Sequence, residues 1–194
     1  MGRSVNRRTE RHPAAGRGAV PSVDDRHDDD ALDEVAQLLG REPRGELVVV
    51  RRRSDGVPSV IENAPLLRDG TPMPTWFWLV DPELRTAVSR LESEGGVRAA
   101  EAAVDPLALA EAHQRYASGR DARVPPGHAG PRPAGGVGGT RAGVKCLHAH
   151  LAWWLAGGED PVGAWVASGS VAAWLIANMA SGRVRSTRAT SPTP

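Results

Sequence analysis

Three times in this chain an aspartate stands directly before a proline: Asp81-Pro82, Asp105-Pro106 and Asp160-Pro161. An aspartate at the N-cap accepts hydrogen bonds from first-turn N–H groups. Proline at the first helical position loses no hydrogen bond there and has a φ already suited to the helix. The three pairs therefore mark three helix starts before any periodicity is counted. After Pro82, Leu84, Val88 and Leu91 form one apolar stripe, with Gly95-Gly96 as the expected stop. After Pro106, Leu109, Ala112, His113 and Tyr116 share a face, which places His113 in or beside the core and not at a ligand.

The segments between are equally regular. "DDALDEVAQLLG" sets Leu32, Val35, Leu38 and Leu39 on one helical face, with acids in the first turn and Gly40 after the last. "ELVVVRRR" and "VPSVIEN" read as strands joined around "SDG", and "RDGTPMP" turns the chain into "TWFWLV" as a third strand. The expected fold is α+β, a small three-stranded antiparallel sheet covered by about five helices. Residues 30–180 form one globular domain, with a Pro/Gly-rich loop over 122–143. Residues 1–29 and 181–194 are nearly devoid of apolar side chains and are expected to be disordered tails.

Composition excludes several functions. The 24 Lys+Arg balance 23 Asp+Glu, so no basic excess argues for nucleic acid, and the "RRR" at 51–53 alternates between strand faces. A single cysteine forms no internal disulfide. The first twenty residues hold no apolar run, so no secretory signal is expected and the location is read as cytoplasmic. Residues 162–180 carry no charge, but they are mostly Ala, Gly and Ser; a buried helix pair is expected there and no membrane span.

The chemistry concentrates in "GVKCLHAH", residues 143–150, which holds both the one cysteine and the one lysine, Lys145. Leu147, Leu151, Trp154 and Leu155 make the following helix's apolar stripe. At 100° per residue Cys146 and His150 share one flank and His148 the other. Cys146 is then expected in the first turn, where unpaired N–H groups favour an anion or a thiolate. As catalytic candidates, Cys146 is the nucleophile and His148 its base, although the helix separates them. For the same reason Cys146, His148 and His150 are a poor ligand set, and no metal or cofactor is expected. "GGTRAGVK" approaches a phosphate-binding loop, but Val144 stands where the lysine belongs. What survives is a glycine loop feeding a helix N-terminus. Thr140, Arg141 and Lys145, closed by Arg41 and Arg44, would bind a small anion or phosphorylated ligand there.

"LGREPRG", "GVPSVIENAPLLRDGTPMPT", "SRLESEGG" and "GVKCLHAHLAWWLAGGEDPVG" together resemble the domain of unknown function 501 (DUF501) family of GC-rich bacteria, over Ala31 to Val166. Arg41, Arg44 and Gly45 match its opening motif, Gly70, Thr71, Pro72, Pro74 and Thr75 its turn-and-strand motif, and Lys145 to His148 its most recognisable stretch. The resemblance implies no reaction. It implies genes near those for a septum-formation protein and an exopolyphosphatase, and so a link to cell division or phosphate metabolism. It also marks this chain as divergent, with Arg53 where the family has cysteine, Met73 where it has an aromatic, and Trp153 near a family histidine. Three readings follow: an anion-binding module, an enzyme with Cys146 as nucleophile, or a non-catalytic partner-binding protein.

Overall fold

The computed structural model describes residues 23–169 and 171–178. Three strands, β1 (Gly45–Arg52), β2 (Pro58–Leu67) and β3 (Phe77–Leu79), form one antiparallel sheet in that order. The turn residues close it as expected. Gly56 takes a φ of 93° while the Arg53 amide donates to the Val57 carbonyl at 2.8 Å. At the second turn Asp69 Oδ1 accepts from the Thr71 amide at 2.9 Å. β2 is longer than its sequence pattern suggests and runs on past Asn63 to Leu67.

Alternation along β2 sends Val60 to one face and Ile61 to the other, and both faces are covered. On one side α1 (Val23–Leu39) lays Val35, Leu38 and Leu39 against Ile61, Val80 and Trp78. Its backbone begins at Val23, ahead of the start expected near Asp29; the remainder of both tails lies outside the described residues. On the other side pack α2 (Pro82–Ser93), α3 (Gly96–Ala103), α4 (Pro106–Asp121), α5 (Leu147–Leu155), α6 (Pro161–Ser168) and α7 (Ala172–Asn178).

All three aspartates cap as expected, each through Oδ1: Asp81 to the Leu84 amide at 2.7 Å, Asp105 to Ala108 at 2.8 Å, Asp160 to Gly163 at 2.8 Å. One helix escaped the sequence reading. Gly95-Gly96 end α2 but also begin α3, with Gly95 as a left-handed N-cap at φ 89°. A side chain on Gly96 would meet the Leu91 carbonyl at 2.5 Å, so the corner needs glycine. The apolar stretch over 162–180 is broken at Gly169 into α6 and α7, and no helix among the described residues is long and apolar enough to cross a membrane.

α5 is the central helix, burying Leu147, Ala149, His150, Leu151, Ala152 and Trp153. Asp160 joins it to α6, since its Oδ2 accepts from His150 Nδ1 at 2.7 Å and both side chains are buried. The Pro/Gly-rich loop, meanwhile, is held from α4. His113 Nδ1 accepts from the Val137 amide at 3.0 Å and Nε2–H donates to the Gly143 carbonyl at 3.1 Å, which defines one neutral tautomer. Arg120, 1% exposed, donates to the carbonyls of Pro74 at 3.1 Å and Gly135 at 2.8 Å.

Two outcomes follow. Asp160→Ala removes a cap and strands the buried His150 N–H, and should cost about 2–4 kcal/mol in urea unfolding. His113 is held below its ordinary 6.5, chiefly by burial and also by His150, against the pull of the Gly143 carbonyl and Asp160. The unfolded chain then binds the proton more readily, so this contribution is full above about 6.5 and falls as pH drops below it. His113→Gln should flatten the loss of stability between about pH 7 and about pH 5.

Candidate functional site

α2 and the start of α5 lie side by side and, with β3, wall a cleft of about 1000 Å³. Arg85, Ser89 and Arg90 line it from α2, Trp78 from β3, Arg41 from the segment after α1, His148 from α5 and Cys146 from the residue before it. Arg41 holds its guanidinium 5.4 Å from the centre of the Trp78 ring.

Cys146 is the N-cap of α5, not a residue within it. Its backbone is extended, with φ −157° and ψ 121°. Its side chain is therefore off the helical lattice, and the 100° spacing that set it apart from His148 does not apply. Sγ lies 3.7 Å from His148 Nδ1, which corrects the expected separation. His150, expected beside Cys146, is instead 1% exposed and bound to Asp160.

The Cys146 side chain makes no capping hydrogen bond. The cap comes from α2: Glu92 Oε1 accepts from the Leu147 amide at 2.7 Å and lies 3.2 Å from His148 Nδ1. On the ring's other side Nε2 meets the Arg85 carbonyl at 3.2 Å and Ser89 Oγ at 3.3 Å. A carbonyl only accepts, so Nε2 carries a proton and Nδ1 is the nitrogen turned toward thiol and carboxylate. Burial opposes charge on this ring, but the Cys146 hydrogen bond, Glu92 and the Arg85 carbonyl outweigh it, and His148 is pushed up to about 9.

Of the expected ligand residues, only Arg41 reaches this cleft. Arg44 pairs with Asp69 at 3.2 Å on the surface. Lys145 is exposed, lines no part of the cleft and has no partner among the described residues. Arg141 lines a separate cavity of about 570 Å³ against α4. Thr140 donates to the Ala142 carbonyl at 2.7 Å, within its own turn. The glycine loop is itself occupied: Glu101 Oε2 accepts from the Val144 amide at 3.4 Å, and a Cβ on Gly143 would fall 2.7 Å from Glu101 Oε1. Both positions expected to hold an anion, loop and helix start, thus hold carboxylates of the protein itself. Of the arginines at 51–53, Arg52 pairs with Glu34 at 2.6 Å and Arg53 with Asp55 at 2.9 Å.

A family model described as a protein of unknown function, DUF501, matches residues 49–168. The chain belongs to the DUF501 family. No curated protein and no solved structure matches it. The DUF501 match takes in Arg85, Arg90, Glu92, Cys146 and His148, while Arg41 lies before it. The three positions expected to depart from the family pattern lie apart from the cleft. Arg53 reaches the Asp81 carboxylate at 3.4 Å, Trp153 packs in the core with its ring centre 5.2 Å from Tyr116, and Met73 lines another cavity.

Glu92, Ser89, Arg85 and Arg90 were missed in the sequence. Arg85, Ser89 and Glu92 follow helical spacing on the polar side of α2, so their shared face was legible. Nothing local said that this face meets α5. Glu92→Ala, by leaving the Leu147 amide without its acceptor, should cost about 1–2 kcal/mol, while Glu92→Gln should stay within about 0.5 kcal/mol by chemical denaturation.

Proposed function

We propose that the cleft between α2 and α5 binds a small anionic ligand, a phosphorylated or carboxylated molecule. One observation carries this reading: Arg41, Arg85 and Arg90 line a single cleft, and none has a carboxylate partner among the described residues. Elsewhere among the described residues Arg44, Arg52, Arg53, Arg115, Arg120 and Arg123 are in ion pairs while Arg68, Arg98, Arg132 and Arg141 are not, so what distinguishes the cleft is that three such guanidinium groups line one space. Concave, like-charged walls concentrate a field that draws in anions, and guanidinium forks suit phosphate and carboxylate oxygens. At about 1000 Å³ the space is at the upper end for a small-molecule site.

Phosphate, pyrophosphate or a sugar phosphate should raise the melting temperature, since a ligand of the folded state alone stabilises it by mass action. Arg41→Ala and Arg85→Ala should each remove most of that shift, and Lys145→Ala should leave it intact. Screening by about 1 M neutral salt should weaken it. The reading fails if none of these anions stabilises the protein, or if the arginine variants respond as the parent does.

An enzymatic reading is favoured by a second observation, the 3.7 Å approach of Cys146 Sγ to His148 Nδ1 on the cleft wall. With Nε2–H held by the Arg85 carbonyl and His148 pushed up to about 9, the ring is an imidazolium whose Nδ1–H lies beside Cys146, and its positive charge would favour the thiolate as nucleophile. Iodoacetamide should then alkylate Cys146 in the folded protein, more slowly in His148→Gln and unchanged in Lys145→Ala. Alkylation seen only after unfolding would rule it out.

A further inference from the structure

Glu92, Cys146 and His148 present a carboxylate, a thiol and an imidazole whose ligating atoms all lie within 4.8 Å of one another. The set differs from the one weighed in the sequence, with Glu92 of α2 in place of His150. Two edges of the triangle are 3.2 Å, from Glu92 Oε1 to His148 Nδ1, and 3.7 Å, from Cys146 Sγ to the same nitrogen. A tetrahedral zinc ion, with bonds of about 2.0–2.1 Å to nitrogen and oxygen and about 2.3 Å to sulfur, sets these edges at about 3.3 Å and about 3.6 Å. Two of the three edges already stand at the spacing of a coordination face, and the third is within 4.8 Å.

Their supports point the same way. The Arg85 carbonyl accepts from Nε2–H and so directs Nδ1 inward, as outer hydrogen bonds do for metal-bound histidines. The Leu147 amide similarly holds the Glu92 oxygen. Cys146 and His148 both line the cleft, so a fourth position would face the space that holds the three arginines.

We propose that Glu92, Cys146 and His148 bind one divalent ion of the zinc class, with its fourth position open to the cleft. Thiolate and imidazole favour zinc or cobalt over magnesium or calcium, which prefer oxygen donors. Binding releases two protons to solvent, that of the Cys146 thiol and that on Nδ1 of the His148 imidazolium. Thiolate and carboxylate then neutralise the ion, so the charge of Arg41, Arg85 and Arg90 is left to match the ligand. This deepens the anion-binding reading, because an oxygen of the bound anion would complete the coordination, yet the metal site itself does not depend on it.

The test uses the full chain, stripped with a chelator and titrated with cobalt(II) as an optical probe. A thiolate-to-cobalt charge-transfer band in the near ultraviolet should saturate at one equivalent and disappear when zinc is added. Cys146→Ser should lose the band, and Glu92→Gln and His148→Gln should weaken binding by roughly tenfold or more. Glu92→Gln keeps an acceptor for the Leu147 amide, so its loss of affinity, with an unchanged melt in the absence of metal, is the measurement least open to misfolding. No thiolate band in the parent, or equal cobalt affinity in parent and Cys146→Ser, would overturn the proposal. Arg85→Ala separates the two readings, since it should abolish the phosphate response while leaving the cobalt band in place. A band without any phosphate response in the parent sinks the anion reading alone; a phosphate response without a band sinks the metal site alone.

Discussion

Asp160 binds in two directions at once. One oxygen receives the first-turn amide of α6, the other the ring N–H of His150 on α5, and neither side chain reaches solvent. A buried carboxylate without partners is costly, so the two contacts form together or not at all. They set the distance between α5 and α6, and Gly163 makes that distance possible: a Cβ there would fall 2.6 Å from the His150 carbonyl. Because α5 also packs on β3 and α2, its placement decides where Cys146 and His148 stand.

The seam between α2 and α5 uses one carboxylate for two purposes. Glu92 closes the start of α5 and also approaches the His148 ring, so the same side chain serves stability and the candidate site. It also changes how the cleft attracts ligands. A helix start is a ready anion site only while its amides are free. Here Glu92 takes the Leu147 amide, and Glu101 does the same for Val144 at the end of the glycine loop. The positive potential that remains comes from guanidinium groups on the cleft walls.

α4 supplies a second kind of constraint. His113 and Arg120 lie on its buried face and bind backbone groups of the Pro/Gly-rich loop. Tyr116, between them, receives the amides of Trp76 and Phe77, and burial pushes its hydroxyl up to about 12. His113 and Arg120 thus anchor a loop with few apolar groups of its own, which is why a glycine-rich stretch has a defined path, while Tyr116 ties the start of β3 to α4.

The sequence by itself determined whatever depends on residues three or four apart. The Asp-Pro pairs cap the helices they precede, the Asp-Gly turns close the hairpins, and the apolar stripes of α1, α2 and α4 face the core, because each effect is complete within one turn of chain. Cys146, His148 and Arg41, singled out in the sequence, line one cleft. Where local rules were extended too far they failed: helical spacing was applied to Cys146 although that residue is extended, and Gly95-Gly96 were read as an end when they are also a beginning. Tertiary structure alone decided that Glu92 reaches His148, that Lys145 faces solvent while Arg85 and Arg90 face the cleft, and that His150 turns to Asp160. Those outcomes rest on partners ten to more than fifty positions away, brought together by packing on the sheet, and no pattern within a single segment encodes which of its polar faces will meet another.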